Sequence, residues 1–358
     1  MILSLPYKRA AFTSLAYTVL AFSITSPANA QVEVTPYIVN GSTANVADYP
    51  SFVSLYLDGQ EYGVGYSSSP YCGGTLLNSE YVLTAAHCVY GNRDSQLLTM
   101  AAPNLQYESD YVNSEKRRVV EIFYPSDYVD DINKLLPNDI AILKLESALG
   151  VGTAINRPNN ESYRNPASVF TAVGHGNTSY GHDAFDVLQK VNLTYVNNTV
   201  CAGAFSDGSH LSPEKQICFT GDYSNATKLL AGTCQGDSGG PIYWDNNGQQ
   251  VQVGVTSFGP VPCGDKNRSV TAVFTEIADY SDWINRVLNG QEVAKHMSND
   301  TARRNYLISK GYNIGSSGNN GSSSSSSSGS GGGGAVHFSF VVLLVGLGWM
   351  RRRKTIQV

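Results

Sequence analysis

Three short motifs carry side chains whose types suit acyl transfer. The run CQGDSGGP at 234–241 places Ser238 among glycines, which allow a sharp turn with N–H groups beside the hydroxyl. His87 lies in LTAAHC and Asp139 lies in NDIAIL. A serine hydroxyl needs a base at neutral pH, histidine titrates near that pH, and an aspartate can fix the histidine tautomer. Each residue alone is common in turns, but together they predict nucleophilic catalysis.

The order of these motifs, histidine then aspartate then serine, resembles that of the chymotrypsin-like serine proteases. The resemblance implies that Ser238 attacks the substrate, that His87 takes and returns the proton, and that Asp139 orients the His87 ring. It also implies an oxyanion hole formed by the backbone N–H groups of Gly236 and Ser238. We therefore expect hydrolysis of peptide bonds through an acyl-enzyme.

The tetrapeptide IVNG at 38–41 is similar to the start of mature members of that family. Cleavage after Tyr37 would free the Ile38 amine, which in the family pairs with the aspartate before the nucleophile, here Asp237. Breaking such a buried pair costs about 3–5 kcal/mol, enough to hold a precursor inactive. Residues 31–37 are therefore predicted to be an activation peptide. The alternative is a floppy end behind a signal peptide.

The resemblance also assigns the primary specificity pocket. Its residues would be Gly232 at the base, Thr233 beside it, Ser257 and Gly259 on one wall, and Ala272 on the opposite wall. Ser257 would in addition lie beneath the aspartate of the triad. Without an acid at the base, an entering arginine or lysine would be desolvated and unpaired, so neutral apolar or aromatic side chains are expected. Asp265 remains open as an acid that points inward.

All six cysteines lie within residues 72–263, an even number that suits a disulfide framework. Six cysteines allow many pairings, and spacing alone does not select among them. The resemblance implies three pairs: Cys72 with Cys88, Cys201 with Cys218, and Cys234 with Cys263.

Residues 1–30 are typical of a secretory signal peptide. Basic residues at 8–9 precede an apolar stretch, and Ala-Asn-Ala at 28–30 forms a small-residue cleavage site. The apolar stretch is short and interrupted by Thr and Ser, which disfavours an uncleaved membrane anchor. The protein is therefore predicted to be exported, either secreted or kept at the cell surface. Its net charge of −5 gives no reason to expect a nucleic-acid partner.

Residues 38–290 are predicted to form the serine protease domain. Apolar alternation through residues 251–255, and short apolar runs between Gly, Asn, Asp and Pro clusters, favour antiparallel barrels. One helix is expected near the end of the domain, capped by Asp279 and ended by Gly290. Its apolar face would comprise Tyr280, Trp283, Ile284, Val287 and Leu288. The resemblance implies an all-β fold of two antiparallel six-stranded β-barrels, closed by this helix, with the active site between them.

The C-terminal part of the chain has a different composition. Residues 315–334 are almost pure Ser and Gly, a flexible linker, and the preceding residues 291–314 form an extension without a predicted role. Residues 335–350 are apolar, and a helix there would reach roughly 24 Å, a little short of a ~30 Å hydrocarbon core. The cations in the basic end at 351–358 favour the cytoplasmic side. The pattern resembles the Gly-Gly C-terminal sorting signals of Gram-negative bacteria, in which a rhomboid-like protease cuts near the glycines.

The sequence thus favours a secreted or cell-surface serine endopeptidase, made as a zymogen, that acts on protein or peptide substrates without a cofactor. No metal site is predicted, because residues 96–110 lack a convincing spacing of calcium ligands. The tail predicts at least a transient membrane contact and a sorting protease as a partner. The first alternative is a catalytically inactive protease-fold surface binding protein, and the second is a membrane-anchored adhesin. Retention of all three triad residues favours the enzyme.

Overall fold

The computed structural model describes residues 38–181 and 186–314. The predicted signal and activation peptides at 1–37, and the predicted linker, apolar segment and basic end at 315–358, lie outside the described residues. Within the described ranges, no helix is both long and apolar enough to cross a membrane.

The first barrel is closed and antiparallel. A short strand β1 (Ser42–Thr43) precedes its six strands, which are β2 (Phe52–Leu57), β3 (Cys72–Asn78), β4 (Tyr81–Thr84), β5 (Thr99–Pro103), β6 (Arg117–Phe123) and β7 (Ala141–Leu145). Their order is β6-β5-β2-β3-β4-β7, and pairing of β6 with β7 closes the sheet. Full closure leaves no sheet edge between these six strands.

The second barrel repeats this architecture. Its strands are β8 (Phe170–Gly174), β9 (Gln189–Val196), β10 (Gln216–Thr220), β11 (Pro241–Asn246), β12 (Gln249–Phe258) and β13 (Ala272–Glu276). Their order is β9-β10-β13-β12-β11-β8, and pairing of β8 with β9 closes the sheet. Strand β1 adds to β9 at the outside. The predicted all-β fold with two six-stranded barrels is confirmed.

Four α-helices lie outside the barrels in the described ranges: α1 (Arg93–Leu98), α2 (Asn198–Ala202), α3 (Ser281–Leu288) and α4 (Asp300–Ser309). Short 3-10 turns occupy Val46–Asp48, Gln60–Tyr62, Ala86–Cys88, Glu108–Asn113, Ile132–Lys134, Gly208–His210 and Ala278–Tyr280. Helix α3 is the predicted C-terminal helix, and it buries Trp283, Ile284 and Val287 in the apolar core of the first barrel. Asp279 does not cap it, because Asp279 lies within the preceding 3-10 turn.

The chain continues past α3 into a second layer on the first barrel. A two-residue strand β14 (His296–Met297) pairs antiparallel with β6, and α4 follows it. Leu307 of α4 is 1% exposed and packs with Leu97 and Leu98 of α1. The folded unit therefore runs to residue 314 and includes the extension that the sequence left without a role.

Candidate active site

His87 lies at the end of the first barrel nearest the second. It follows β4 directly and occupies the 3-10 turn Ala86–Cys88. Its backbone N–H donates to Asp139 Oδ1 at 2.9 Å, and its ring Nδ1 donates to Asp139 Oδ2 at 2.7 Å. These two bonds fix both the position of the turn and the plane of the ring.

Asp139 is completely buried, so its carboxylate depends on protein hydrogen bonds. Besides the two bonds from His87, Oδ2 accepts a hydrogen bond of 2.5 Å from the hydroxyl of Ser257 on β12. Thr275 of β13 donates to the Asp139 carbonyl at 2.7 Å. Both barrels thus hold the aspartate, and Ser257 lies next to it as the family resemblance implies.

Ser238 lies in the turn before β11, and this turn is attached to both barrels. The Ser238 carbonyl accepts a hydrogen bond of 2.8 Å from Gly73 N of β3, while Gly239 N donates to Thr256 O of β12 at 2.8 Å. Gly73 adjoins Cys72, which is bonded covalently to Cys88 beside the histidine turn. The fold therefore brings the serine turn to the strand that anchors the histidine turn.

Gly236 has a backbone conformation that only glycine adopts easily. Its φ is +100°, and a Cβ there would lie 2.8 Å from the Cα of Gly176. Among the hydrogen bonds of the described residues, none uses the N–H of Gly236 or of Ser238. The two N–H groups predicted to form the oxyanion hole are therefore not engaged in other hydrogen bonds among the described residues.

Asp237 is the second buried acid of the site, and its surroundings differ from those of Asp139. It is 1% exposed, and its two oxygens accept hydrogen bonds of 2.9 Å from Gly176 N and Cys234 N. Desolvation raises the pKa of Asp237 to about 7, although both backbone hydrogen bonds oppose that rise. Gly174 and Gly176 leave room for this carboxylate, since a Cβ on either would overlap it.

The amino end of the described chain approaches the same region. Ile38 is completely buried in the apolar core of the second barrel. The next residue, Val39, accepts a hydrogen bond of 3.1 Å from Gly232 N, and Asn40 donates from its side chain to Leu229 O at 2.8 Å. These contacts fasten the segment that would follow the predicted activation cleavage.

Two of the predicted pocket residues, Gly232 and Gly259, lie against a residue that was not predicted, Thr271. Gly232, Thr233 and Ser257 are buried, and Gly259 is half-buried. A Cβ on Gly232 would lie 2.7 Å from Thr271 Cβ and 2.9 Å from Thr271 Oγ1. Thr271 is 2% exposed, and its hydroxyl has no hydrogen-bond partner among the described residues.

Thr271 therefore occupies the space that a side chain at position 232 would need. The neighbouring Ala272 is fully buried and packs in the core of the second barrel, where Ile38 and Ala231 also lie. Sequence analysis assigned the opposite wall to Ala272 and did not identify Thr271. The only sequence signal for Thr271 was its position next to Ala272, because its contact with Gly232 depends on how two distant segments of the chain meet.

Asp265 does not supply a hidden acid in this structure. Its Oδ1 accepts hydrogen bonds from the backbone and side-chain nitrogens of Asn267, at 3.0 and 2.9 Å. Its other oxygen lies 3.7 Å from Nε of Arg268. The carboxylate is thus engaged within its own loop.

The three disulfides follow the pairs that the resemblance implies: Cys72–Cys88, Cys201–Cys218 and Cys234–Cys263. The third joins the segment before the nucleophile to the loop at the pocket. Cys72, Cys88 and His87 offer ligand atoms within 4.8 Å of one another. Because both sulfurs are consumed by a disulfide, this group is not a thiolate metal site.

His175 lies between the barrels and was given no role from sequence. Its Nδ1 is 3.3 Å from the hydroxyl of Ser54 on β2, and its ring packs on Phe52. Burial lowers the pKa of His175 to about 4, so the ring is neutral at physiological pH. Its chain neighbours Gly174 and Gly176 contact Asp237, which places this histidine just behind the serine turn.

Known proteins are similar to this chain over most of the described residues. A family model described as Trypsin matches residues 38–284. Trypsin-1 of Astacus astacus is 30% identical over 69% of this chain and 98% of its own length. Snake venom serine protease 3 of Protobothrops jerdonii is 31% identical over 71% of this chain and 88% of its own length. CLIP domain-containing serine protease B15 of Anopheles gambiae is 30% identical, and the match covers 64% of its length.

Solved structures give the same fold. The secreted serine protease VesC from Vibrio cholerae aligns with a TM-score of 0.54 and 25% identity, covering 69% of this chain and 48% of that one. Neuropsin, a serine protease from mouse brain, aligns with a TM-score of 0.56 and 22% identity, covering 70% and 100%. At this identity, the likeness to neuropsin concerns the fold alone.

Proposed function

The chain belongs to the trypsin family, and from that membership we propose that it is a serine endopeptidase that acts on proteins or peptides. The observation that carries the proposal is the pair of hydrogen bonds from His87 to the buried Asp139, next to a serine turn of family sequence. Hydrolysis proceeds through an acyl-enzyme on Ser238.

The first half of the reaction forms an ester. Ser238 Oγ attacks the scissile carbonyl carbon while His87 Nε2 takes the hydroxyl proton. His87 then gives this proton to the leaving amine as the C–N bond breaks. The Asp139 carboxylate, 2.7 Å from Nδ1, stabilises the imidazolium that exists between these two transfers.

The second half returns the enzyme to its starting state. A water molecule attacks the ester carbonyl, and His87 takes its proton and returns it to Ser238 as the acid product leaves. In both halves negative charge develops on the carbonyl oxygen. The N–H groups of Gly236 and Ser238 stabilise that charge, and loss of one such donor typically costs about 10²–10³ in rate.

The enzyme is made as a zymogen. In the intact chain Ile38 is in peptide linkage, so it has no ammonium to offer Asp237. Cleavage between Tyr37 and Ile38 creates that ammonium, which pairs with the Asp237 carboxylate and orders the oxyanion hole. Support comes from the buried carboxylate with its raised pKa of about 7 and from the anchored segment at 38–40.

Specificity is for neutral residues on the acyl side of the cleaved bond. Support comes from Gly232, which carries no charge, and from Thr271, which fills the space that an acid at position 232 would occupy. The unpartnered Thr271 hydroxyl favours a side chain that is apolar along its length and ends in a hydroxyl, such as tyrosine. A peptide library tests this preference, and dominant cleavage after Arg or Lys would overturn it.

The protein is exported, and its tail directs sorting. Residues 335–350 contact the membrane at least transiently, and a bacterial sorting protease cuts near the glycines before them. Support comes from the run of Ser and Gly followed by apolar and then basic residues. Removal of residues 315–358 should change where the protein accumulates and leave peptide hydrolysis intact. Unchanged location would contradict the sorting role.

Covalent labelling by a fluorophosphonate tests the central proposal. The activated protein should be labelled at Ser238 and should hydrolyse peptide esters, while Ser238→Ala should lose labelling and nearly all hydrolysis. Ser209→Ala is a matched control, because Ser209 lies on an exposed turn bonded to Asp207. Normal hydrolysis by Ser238→Ala would exclude this mechanism. An activated parent that is inert would favour the protease-fold binding protein.

A further inference from the structure

We propose that residues 291–314 act as a positioning clamp on the loop that follows His87, and that His296 is the residue that couples the clamp to this loop. The proposal goes beyond the family's catalytic machinery and rests on the proposed function, since its kinetic consequence requires an active protease. Five groups of contacts carry it: a strand pairing, a buried arginine, the packing of α4 on α1, a side-chain relay and a set of tyrosine ring contacts.

The strand pairing fixes the extension on the first barrel. His296 pairs with Ile122 of β6 and Met297 with Glu121. Backbone hydrogen bonds from Lys295 N to Ile122 O and from Ser298 N to Val120 O, both 2.8 Å, flank this pairing. Such bonds determine which way the side chains of β14 face, because successive residues of a strand point to opposite sides. His296 is half-buried, whereas Met297 is 74% exposed.

The buried arginine joins α4 to α1. Arg303 is 5% exposed, and its Nε donates to Leu97 O at 3.0 Å. Its Nη2 donates to Ser298 Oγ at 3.0 Å and to Val119 O at 3.3 Å. A buried cation that satisfies carbonyls from two elements ties those elements together, because losing either acceptor would strand the charge.

A second contact of α4 reaches the first turn of α1. The hydroxyl of Tyr306 donates to Asp94 Oδ1 at 2.6 Å. Leu307 packs with Leu97 and Leu98 in an apolar cluster that also contains Tyr62. Helix α1 is thus held along its length by the extension.

The relay leads from the extension to the catalytic histidine. The Gln96 amide nitrogen donates to Val89 O at 3.2 Å and lies 3.2 Å from His296 Nε2. Val89 is two residues after His87, so the bond from Gln96 to Val89 joins the two ends of the loop that follows the histidine turn. His296 supports Gln96 from outside the loop, and its Nε2 is also 3.1 Å from the hydroxyl of Tyr124.

Tyr124 extends the same support to the surface of this loop. Its ring is edge-on to Tyr90, with ring centroids 5.5 Å apart, and Tyr90 is also edge-on to Tyr128 at 5.1 Å. Tyr90 follows Val89 directly and is 39% exposed. The clamp therefore supports both the buried carbonyl of Val89 and the exposed ring of Tyr90. Because small displacements of a catalytic group reduce the rate disproportionately, loosening this loop should slow catalysis by His87.

The test is a double-mutant cycle in the full-length activated chain. His296→Ala should lower kcat/KM per labelled active site by about fivefold, the equivalent of one net hydrogen bond, mostly through kcat. Gln96→Ala should have a similar effect. If His296 acts through Gln96, the double variant should lose little more than either single variant. His296→Gln, which can accept from Gln96, should recover part of the loss, and Met297→Ala should match the parent.

Hydrogen exchange gives a readout that does not require catalysis. The backbone amides of residues 89–98 should exchange faster in His296→Ala than in the parent or in Met297→Ala. Tyr306→Phe, which removes only the bond to Asp94, should speed exchange in the first turn of α1. Unchanged exchange at 89–98, or fully additive kinetic effects of His296→Ala and Gln96→Ala, would overturn the clamp. Absence of labelling in the parent would instead overturn the proposed function while leaving the exchange result valid.

Discussion

The two barrels contribute unequal halves of the site. The half on the first barrel has its contacts in place, since His87 and Asp139 share two hydrogen bonds and Ser257 satisfies the buried carboxylate further. The half on the second barrel contains Asp237, which has two backbone donors and no cationic partner among the described residues. One buried acid has side-chain partners, whereas the other accepts only backbone hydrogen bonds and, in the proposed zymogen mechanism, gains its cation after cleavage.

This difference bears on the proposed zymogen. The histidine and aspartate can be assembled during folding, because the buried Asp139 carboxylate already has its hydrogen-bond donors on His87 and Ser257. In the proposed mechanism the serine turn would depend on a later cut, because Asp237 would gain a counter-charge only when the Ile38 amine is released.

The largest expected effect on activity comes from removing the buried carboxylate of the first half. Asp139→Asn in the activated chain should lower kcat by about 10⁴-fold, because an amide favours the wrong tautomer of His87. Peptide hydrolysis per folded molecule measures this effect. Asp282→Asn is the control, since Asp282 is an exposed acid on α3. A loss smaller than tenfold would mean that His87 does not depend on this carboxylate.

The second half should respond to loss of its buried acid. Asp237→Asn in a chain that begins at Ile38 should lower kcat/KM by at least about a hundredfold, since the new ammonium would then lack its partner. The low-field proton signal of the His87–Asp139 bond should persist, because that pair does not touch Asp237. Loss of both activity and this signal would show that the two halves are not separable. Full activity would remove Asp237 from the activation mechanism.

The buried acid of the second half should also make the stability of the uncut chain depend on pH. The folded pKa of Asp237, about 7, lies above the ordinary value of 3.8. A raised acid pKa means that the folded state holds a proton more tightly than the unfolded state, so stability falls as pH rises from about 4 to about 7. The decline should reach up to about 4 kcal/mol. Urea unfolding of uncut Ser238→Ala, with and without Asp237→Asn, measures it.

Only the protein with Asp237 should show that additional decline. After cleavage at Ile38 the new ammonium should lower the pKa of Asp237, so the decline should shrink. Equal pH profiles for the two uncut proteins would show that the buried carboxylate titrates normally and would weaken the comparison between the halves.

The smallest expected effect concerns His175, which lies between the halves. Its folded pKa of about 4 is below the ordinary 6.5, so stability should be lost as pH falls from about 6.5 to 4, by up to about 3 kcal/mol. His175→Gln should remove this acid sensitivity because glutamine does not titrate. Urea unfolding at several pH values checks it. An unaltered acid profile would mean that the ring gains a proton without cost at this interface.

Local motifs allowed much of this site to be predicted from sequence. The segments around His87, Asp139 and Ser238 each combine a strand end with a turn, so their sequence patterns survive without knowledge of the fold. The buried face of α3 was also predictable, because Trp283, Ile284 and Val287 follow helical spacing. The predicted cap at Asp279 was wrong, since a 3-10 turn precedes the helix there.

The features that sequence did not reveal depend on contacts between distant segments. Thr271 contacts Gly232 although the two residues lie on separate segments of the chain, and no periodic pattern marks that contact. Strand β14 has only two residues, too few to produce alternation, and α4 is anchored by Arg303, whose charge argues for an exposed site. Burial of a cation becomes understandable only when its carbonyl acceptors are known.

The anchored segment at residues 38–43 should determine the kinetics of the proposed activation in solution. Val39 is bonded to Gly232, and Ser42 and Thr43 pair with β9, so a newly released Ile38 amine remains on a short, ordered tether. Its local concentration near Asp237 is then set by geometry at about millimolar or higher, irrespective of how dilute the protein is. After the cut, pairing of the Ile38 amine with Asp237 should therefore follow first-order kinetics, with a rate that does not depend on the protein concentration.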